Sequence, residues 1–338
     1  MKKLIWCLIL APFFCAAQNY AVKSLNENTK TSIRGLSVVD DKIIWTSGSN
    51  GTIGKSVDGG YSWEWIIPKG YEKLDFRDIE AFNELEAIVV NAGSPAYVLK
   101  TINGGKTWTE TYKNTDTAIF LDGLGVWSKN KAIIFGDPID NKMQLLKSIN
   151  GGKSWKNISS KMNPSLVKGE AGFAASGTTI KTLPGGQVWI ATGGMISHIY
   201  HSKNYGSDWQ VYKCPIWQGE STTGPFSIDF YDANIGVAVG GNYVRDKDNS
   251  NNIVLTNDGG KTWRKPKTPV YGYRSAVAYI NTKTLIATGT SGTDVSLDGG
   301  ENWSHISDIS FNSVQKAKNG KVVILAGNKG FIYQLEEK

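Results

Sequence analysis

Cysteine and histidine are scarce in this chain of 338 residues, which contains three of each. Two of the cysteines, Cys7 and Cys15, lie in an apolar stretch at the N-terminus, so Cys214 is the only cysteine in the rest of the sequence. A single thiol excludes an internal disulfide and a metal site built on thiolates. We therefore expect no disulfide, no metal and no other cofactor.

The sequence also lacks the short motifs of several enzyme classes. No G-x-G-x-x-G leads from a strand into a helix, helical periodicity is absent, and there is no G-x-S-x-G. The lack of G-x-G-x-x-G argues against a nicotinamide or flavin oxidoreductase. The lack of G-x-S-x-G argues against an α/β-hydrolase. We find no catalytic residue in the sequence and favour a non-catalytic protein.

Basic residues are not clustered as they are on a nucleic-acid-binding surface. Lysine and arginine outnumber aspartate and glutamate by 37 to 30, a formal net charge of +7, but the lysines are scattered through turns. No basic run follows the spacing of a phosphate backbone, so we expect no nucleic-acid partner.

The first residues have the pattern of a secretory signal peptide. Lys2 and Lys3 precede an apolar run, and the small residues Cys15 and Ala17 precede a cleavage point before Gln18. We predict a signal peptide over residues 1–17 and one mature domain over residues 18–338, exported to the periplasm or to the outside of the cell. No later apolar run is long enough to span a bilayer, so we expect no stable membrane insertion.

One eight-residue phrase occurs six times. The copies are SVDGGYSW, TINGGKTW, SINGGKSW, SKNYGSDW, TNDGGKTW and SLDGGENW, which start at positions 56, 101, 148, 202, 256 and 296. The third residues are Asp58, Asn103, Asn150, Asn204, Asp258 and Asp298. The closing tryptophans are Trp63, Trp108, Trp155, Trp209, Trp263 and Trp303. Consecutive tryptophans are 40 to 54 residues apart, which is the period of a repeated structural unit.

The phrase itself is explained by turn geometry and anchoring. Glycine stands at the fifth position in every copy, whereas the fourth position also accepts Tyr205, so we expect positive φ at the fifth. The Asp or Asn side chain can accept hydrogen bonds from amides of the turn. A buried indole removes roughly 150–250 Å² from water, an anchor large enough to account for the repetition without any chemistry.

Each repeat is accompanied by an apolar run. The runs are IIWTSG, AIVVNAG, AIIFG, VWIATG, VAVG, LIATG and, after the last phrase, VVILAG. Apolar residues on both faces are typical of a strand that is covered on both sides. Seven such strands predict an all-β, seven-bladed β-propeller. The last blade has no phrase of its own, and we expect NYAVKSL near the mature N-terminus to complete it and close the ring.

A weaker phrase precedes each apolar run: SIRGL, DFRDI, FLDGL, GFAAS, PFSID, GYRSA and SFNSV. In a propeller the first strand of a blade lines the central channel, and alternation turns the third position of the phrase toward the axis. That position holds Arg34, Arg77, Asp122, Ala174, Ser227, Arg274 and Asn312. Three of the five arginines of the chain occur there, and guanidinium groups hold carboxylate or phosphate with paired hydrogen bonds. We predict an arginine-lined mouth that binds an acidic group.

These arginines have an alternative explanation, because they could pair with Asp78, Asp122 or Asp229 and stiffen the ring. The long connections of the chain are expected on the face opposite to the repeated phrases, where binding residues tend to lie on loops. Asp137, Glu170 and Glu220 belong to these connections and are the acidic candidates for the site.

The repeated phrase resembles the S-x-D-x-G-x-T-W pattern of Asp-box, or BNR, repeats, which form hairpins on propeller blades. From SIRGLSVVDDKIIWTSG to GYRSAVAY, nearly the whole mature chain is similar to the photosystem II stability/assembly factor-like family. This resemblance implies a seven-bladed propeller that acts as a scaffold for a protein partner. More distantly, the arginines resemble those with which Asp-box sialidases hold a carboxylate, although the phrase at Arg34 lacks the proline of those enzymes.

We therefore predict a monomeric, exported binding protein whose partner is a protein or an anionic glycan. The alternative function is that of a carbohydrate-active hydrolase, sialidase-like or of another glycosidase type, that uses the same mouth.

Overall fold

The computed structural model describes residues 20–26 and 29–338, which form seven antiparallel sheets. The predicted signal peptide, residues 1–17, lies outside the described residues. Each sheet is one blade of a propeller, so the prediction of an all-β, seven-bladed β-propeller is confirmed. Among the described residues, no helix has the length and hydropathy that a bilayer crossing requires.

Within each blade the strands run in chain order from the central channel to the rim. The first strands are β2 (Ile33–Val38), β6 (Asp75–Ala81), β10 (Leu121–Ser128), β15 (Ile180–Leu183), β19 (Thr223–Phe230), β22 (Ala276–Tyr279) and β26 (Ser313–Lys316). The second strands are β3 (Ile44–Gly48), β7 (Ala87–Ala92), β11 (Lys131–Ile139), β16 (Gln187–Gly194), β20 (Gly236–Asn242), β23 (Leu285–Gly289) and β27 (Val323–Ala326). The second strands coincide with the seven apolar runs of the sequence.

The outer half of each blade is formed by the third and fourth strands. The third strands are β4 (Ile53–Ser56), β8 (Ala96–Thr101), β12 (Lys142–Ser148), β17 (His198–Ser202), β21 (Ile253–Thr256), β24 (Gly292–Ser296) and β28 (Ile332–Glu337). The fourth strands are β5 (Glu64–Ile66), β9 (Thr109–Asn114), β13 (Lys156–Asn157), β18 (Gln210–Lys213), β25 (Trp303–Ser307) and, in blade 7, β1 (Tyr20–Asn26).

Three blades depart from this simple order. In blade 4 the short strand β14 (Glu170–Ala171) pairs with the end of β16, beside the first strand β15. Blade 5 has a single bridge, between Leu255 and Arg264, in place of a fourth strand. In blade 7 the N-terminal strand β1 pairs antiparallel with the C-terminal strand β28. Short 3₁₀ turns lie at Ser159–Lys161, Pro184–Gly186 and Asn328–Gly330.

The apolar core lies between neighbouring blades. Trp45 and Ile53 of blade 1 pack in one cluster with Phe76, Ile79 and Val89 of blade 2, and all of them are almost fully buried. Equivalent clusters join the blades that follow around the ring. Because both faces of the second strands are covered in this way, their sequences are apolar at consecutive positions.

The six repeated phrases form hairpins between third and fourth strands, on one side of the disc that we call the box face. In the copy that starts at Ser148, the Oγ atom of this serine accepts a hydrogen bond from the Gly152 amide at 2.8 Å. Asn150 Oδ1 accepts one from the Ser154 amide at 3.1 Å. Both hydrogen bonds recur in the other five copies, as the turn chemistry of the phrase predicts.

The glycine at the fifth position of the phrase has positive φ in every copy, between 72° and 94°. The fourth position also has positive φ, and Tyr205 adopts it at 60°, so positive φ does not by itself distinguish the two positions. Packing distinguishes them, because a Cβ atom at Gly105 would meet Ile66, and one at Gly152 would meet Ile88, in the preceding blade. The hairpins therefore also hold neighbouring blades together.

Candidate binding site at the channel mouth

The first strands begin on the face opposite the box hairpins, because strand direction alternates within a blade and the third strands end at the hairpins. A cavity of about 410 Å³, which we call the mouth cavity, opens at the start of the first strands. A second cavity, of about 380 Å³, lies at the ends of these strands, toward the box face.

A β-bulge at the start of the first strand places one side chain of a blade in the mouth cavity. The pairing of first and second strands skips one residue in blades 1, 2, 3 and 5, and the skipped residues are Arg34, Arg77, Asp122 and Phe226. A bulged residue is unpaired in the ladder, and its side chain is redirected. These four side chains line the mouth cavity, together with Ser275 of blade 6 and Asn312 of blade 7.

The predicted position in blade 5 is one residue away from the cavity. Phe226 lines the cavity, whereas Ser227 is fully buried between blades. The Ser227 hydroxyl interacts with Thr178 Oγ1 at 2.7 Å and accepts a hydrogen bond from the Val277 amide at 3.0 Å. Because a shift of one residue reverses side-chain direction in a strand, the prediction for Ser227 is wrong.

Arg274 is also displaced by one residue, since Ser275 is the residue of blade 6 that lines the cavity. Arg274 is fully buried inside the blade, where its Nε and Nη2 atoms lie 2.8 and 2.6 Å from Asp294 Oδ2. Its Nη1 atom donates to the Tyr273 carbonyl at 2.8 Å and to Ser291 Oγ at 2.6 Å. Burial lowers the pKa of Arg274, and the charge of Asp294 opposes this effect. The prediction that Arg274 faces the mouth is therefore wrong.

Residues 172–179, which we call the plug, cross the channel between the two cavities. The phrase GFAAS in this segment was expected to be the first strand of blade 4, but that strand is β15, which begins at Ile180. Ser176 Oγ in the plug donates to the Ser275 carbonyl at 2.8 Å, and the Ile228 amide donates to the Thr178 carbonyl at 2.8 Å. The plug lines both cavities and separates them.

The two arginines of the mouth are held by carbonyl groups of the plug. Arg34 Nη1 donates to the Ala175 carbonyl at 3.0 Å, and Arg77 Nη1 donates to the Ala174 carbonyl at 3.4 Å. Arg77 also pairs with Asp75, with 2.7 Å between Nε and Oδ2.

Arg34 forms no ion pair with any described residue, and its other N–H groups have no hydrogen-bond partner among them. Burial, and then the charge of Arg77, lower the pKa of Arg34. Neither mouth arginine forms an ion pair with Asp78, Asp122 or Asp229, although the charge of Arg77 acts on Asp122.

Two carboxyl groups lie beside the arginines. Asp122 is only 2% exposed, and neither of its oxygens accepts a hydrogen bond from an amide, hydroxyl or basic group among the described residues. Its carboxyl group contacts that of Asp137. Asp137 Oδ1 accepts a hydrogen bond from the Gly172 amide at 2.9 Å. Burial, and then the neighbouring Asp137, raise the pKa of Asp122 well above its usual range, and burial also raises the pKa of Asp137. The two carboxyl groups are therefore able to share one proton.

Aromatic side chains form another part of the cavity wall. The rings of Phe173 and Phe226 stack with 3.9 Å between centroids, and Tyr273 meets Phe226 edge to face at 4.8 Å. Tyr243 lies at the rim and is 47% exposed. These aromatic residues were missed in the sequence, although Phe226 and Tyr273 directly precede the positions that were selected.

The remaining predicted residues have other surroundings. Asn312 lines the mouth cavity, and its amide donates to the Ile33 carbonyl at 2.8 Å, which joins blade 7 to blade 1. Glu170 is buried in blade 4, where Thr192, His198 and Tyr200 contact its carboxylate. Glu220 pairs with Arg245 at the surface. Glu170 and Glu220 do not line the mouth cavity, so only Asp137 of the three loop acids does.

No group of three or more His, Cys, Asp or Glu suited to a metal ion is present in the part of the chain that the structure describes. The donor set of the mouth is two guanidiniums, two carboxyl groups and an aromatic wall. This combination can orient a charged ligand with an apolar part.

No protein-family profile and no curated protein sequence matches the chain. Among solved structures, the chain is similar to YCF48 bound to a D1 peptide, with 16% identity, a TM-score of 0.67, and coverage of 94% of this chain and 96% of that one. It is also similar to YCF48 from Cyanidioschyzon merolae, with 16% identity, a TM-score of 0.66, and coverage of 93% and 98%. A GH74 xyloglucanase from Xanthomonas campestris gives 13% identity and a TM-score of 0.62 over 93% of this chain and 53% of that one. Similarity at these identities shows that the chain shares the propeller fold with these proteins.

Proposed function

We propose that this chain is a non-catalytic propeller that binds an acidic group of a protein partner in the mouth cavity. The observation that carries the proposal is the state of Arg34, a partly buried guanidinium at the channel mouth that forms no ion pair with a carboxylate among the described residues. A buried charge is costly unless it is paired, and a ligand carboxylate would supply the pair. Arg77, which faces the same cavity, would provide further donors.

The similarity to YCF48 supports a protein partner. One of the similar structures is YCF48 bound to a D1 peptide, so YCF48, which has a similar fold, binds a peptide. For this chain we propose the same kind of role, a scaffold that holds an acidic segment of another protein. An anionic glycan is the alternative ligand for the same cavity.

The proposal is tested with a matched pair of small probes, 3-phenylpropanoate and its neutral amide. A charge-assisted hydrogen bond contributes about 1.5–3 kcal/mol, so we expect the carboxylate to bind the mature protein at least tenfold more tightly than the amide. Arg34→Gln should remove the difference, whereas Arg245→Gln, at an arginine outside the mouth cavity, should leave it unchanged. Equal affinities for both probes in the wild-type protein would contradict the proposal.

A glycosidase is the second candidate, because two carboxyl groups lie beside an open cavity. Glycosidase pairs are separated by about 5–9.5 Å so that a sugar or a water fits between them, whereas Asp122 and Asp137 interact directly with each other. The arrangement therefore favours binding over hydrolysis. Turnover of sialosides or anionic polysaccharides that is lost in both Arg34→Gln and Asp122→Asn would reverse this preference.

We further propose that the mature protein acts outside the cytoplasm, because the first 17 residues have the signal-peptide pattern. Mass spectrometry of the protein recovered from its own cell envelope should give an N-terminus at Gln18. An intact Met1 on the cytoplasmic protein would exclude export.

A further inference from the structure

We propose that the mouth cavity takes a zwitterion, a carboxylate with an ammonium group on the adjacent carbon and an aromatic side chain, as in a free aromatic α-amino acid. The inference rests on the proposed function, because the arginines would hold the carboxylate of this ligand. It adds a second binding group, Asp122, and an apolar contact.

Asp122 is the observation that calls for an ammonium group. Its carboxyl group is almost fully buried and lines the mouth cavity. The proton shared with Asp137 can serve one of its oxygens, and the other oxygen has no hydrogen-bond donor among the described residues. Buried carboxyl oxygens in native proteins nearly always have a donor, so a ligand donor is missing at this position. An ammonium group supplies three donors and a charge of the matching sign.

The order of charges around the rim suits a carboxylate and an ammonium on one carbon. Arg34, Arg77 and Asp122 occupy the bulges of three consecutive blades, so positive groups are followed directly by a negative one. Arg77 interacts electrostatically with Arg34 on one side and with Asp122 on the other. A carboxylate between the arginines therefore places an adjacent ammonium group toward Asp122.

The charges that line the mouth favour a ligand with charges of both signs. Asp75 pairs with Arg77, and burial raises the pKa of both Asp122 and Asp137, which favours a proton shared by these two carboxyl groups. A simple carboxylate would add a negative charge beside that pair. A zwitterion adds none, and its ammonium group allows the pair to release its proton.

The aromatic wall and the cavity volume define the rest of the ligand. Phe173, Phe226 and Tyr273 line the same cavity as the arginines, and the two phenylalanines present a stacked pair of rings. A volume of about 410 Å³ accommodates an amino acid with one aromatic ring, and aromatic contacts favour such a ring over a flexible chain.

The experiment compares four probes by titration calorimetry on the mature protein: L-phenylalanine, D-phenylalanine, 3-phenylpropanoate and 2-phenylethylamine. At least one phenylalanine enantiomer should bind at least tenfold more tightly than 3-phenylpropanoate and 2-phenylethylamine, each of which lacks one of the two charged groups. Repeating the titration in two buffers of different ionisation enthalpy should show net proton release for phenylalanine, from the Asp122–Asp137 pair, and none for 3-phenylpropanoate.

Variants assign the ammonium contact. Asp122→Asn should weaken phenylalanine binding at least tenfold and leave 3-phenylpropanoate unchanged or tighter, because one negative charge is removed. Asp140→Asn, at an exposed aspartate outside the cavity, serves as the matched control and should change neither affinity. The comparison of probes and the direction of proton exchange are measured on the wild-type protein, so they do not depend on how the variants fold.

Two results would overturn the inference. The first is 3-phenylpropanoate binding as tightly as both enantiomers of phenylalanine, or no binding of phenylalanine at all. The second is phenylalanine binding without proton release and without an effect of Asp122→Asn. If 3-phenylpropanoate still binds in a manner that depends on Arg34, the zwitterion fails while the proposed function stands. If the binding of neither phenylalanine nor 3-phenylpropanoate depends on Arg34, both the zwitterion inference and the proposed function fail.

Discussion

Arg274 is fully buried and Arg34 is partly buried, and the two arginines differ in the groups around them. Arg274 is surrounded inside blade 6 by Asp294, Ser291 and the Tyr273 carbonyl. Arg34 has one hydrogen bond, to the Ala175 carbonyl, and no ion pair among the described residues. The first arrangement stabilises the blade, whereas the second leaves donors for a ligand.

Glutamine substitutions should separate these two roles. Arg274→Gln removes the guanidinium partner of the buried Asp294, which then contacts only His305 and the Tyr271 amide among the described residues, so we expect the free energy of unfolding to fall by about 3 kcal/mol. Arg34→Gln removes a charge that has no partner, and we expect a change of less than about 1 kcal/mol. Urea denaturation of both variants measures the difference. A larger loss of stability in Arg34→Gln than in Arg274→Gln would show that the roles are assigned the wrong way round.

The buried acid Asp122 predicts a pH dependence of stability. Because burial raises the pKa of Asp122, the native state keeps a proton that the unfolded chain has released above about pH 4. Its contribution to stability therefore falls as the pH rises from there toward the raised pKa. Asp122→Asn removes this effect, so the stability of the variant relative to wild type should increase between pH 4 and 7, by at most about 1.4 kcal/mol per pH unit. Urea titrations across this range test it, and a difference independent of pH would contradict it.

At the scale of elements, the plug joins the blades that form the mouth. It contacts Arg34 in blade 1, Arg77 in blade 2, Ser227 in blade 5 and Ser275 in blade 6. Gly177 is closely packed in the plug, with a φ of 72°, and a Cβ atom there would lie 2.5 Å from Asp78 Cγ. Asp78 is itself fixed, because its Oδ2 atom accepts a hydrogen bond from the Leu124 amide at 2.6 Å.

A pair of alanine substitutions tests the plug. Gly177→Ala and Gly185→Ala both introduce a side chain at positive φ, at 72° and 82°, but nothing lies within 4 Å of the new atom at Gly185. The backbone penalty, about 1 kcal/mol, should be similar in both variants, so the additional loss in Gly177→Ala reports the collision with Asp78. We expect at least about 1 kcal/mol more destabilisation at Gly177, together with weaker binding of 3-phenylpropanoate. Equal effects would show that the plug is not tightly held.

The elements also show which features a single sequence reveals. The repeated phrases and apolar runs identified the hairpins and second strands, since both depend on local turn chemistry and on burial. The positions of Arg34, Arg77, Asp122 and Asn312 followed from alternation. A β-bulge shifts the alternation by one residue and has no distinct signal in a single sequence, and in blade 6 the polar Arg274 occupies the place that apolar Ile33 has in blade 1. For this reason the sequence pattern indicates Ser227 and Arg274, whereas the structure places Phe226 and Ser275 in the cavity.

The plug was missed for a related reason. Its phrase GFAAS matches the apolar and small residues of a first strand, and only tertiary contacts distinguish the two structures. The carbonyl groups of Ala174 and Ala175 that hold the arginines are backbone atoms, which a search for functional side chains does not consider.

At the scale of the whole molecule, strand β1 covers the edge of the blade that ends the chain. It pairs with β28 from Tyr20↔Glu337 to Asn26↔Ile332. Tyr20, Val22 and Leu25 are partly buried against the core of the neighbouring strands. Without β1, the edge of β28 would expose unpaired backbone groups.

Truncation tests this contribution. A protein that begins at Thr29 should lose at least about 2 kcal/mol in its free energy of unfolding relative to one that begins at Gln18, because three apolar side chains lose their contacts. The exposed strand edge should also cause association that increases with concentration in sedimentation experiments, whereas we expect the longer protein to remain monomeric. Identical stability and a monomer in both cases would show that β1 is dispensable.

The convergence of Arg34 and Arg77 on one ligand site is tested most directly by NMR of the arginine side chains. The chain contains five arginines, at positions 34, 77, 245, 264 and 274, so arginine labelled with ¹⁵N gives five Nε–H signals that can be assigned by substitution. Titration with 3-phenylpropanoate should shift the signals of Arg34 and Arg77 and leave Arg245, Arg264 and Arg274 unchanged. A shift at Arg274, or none at Arg34 and Arg77, would contradict the account.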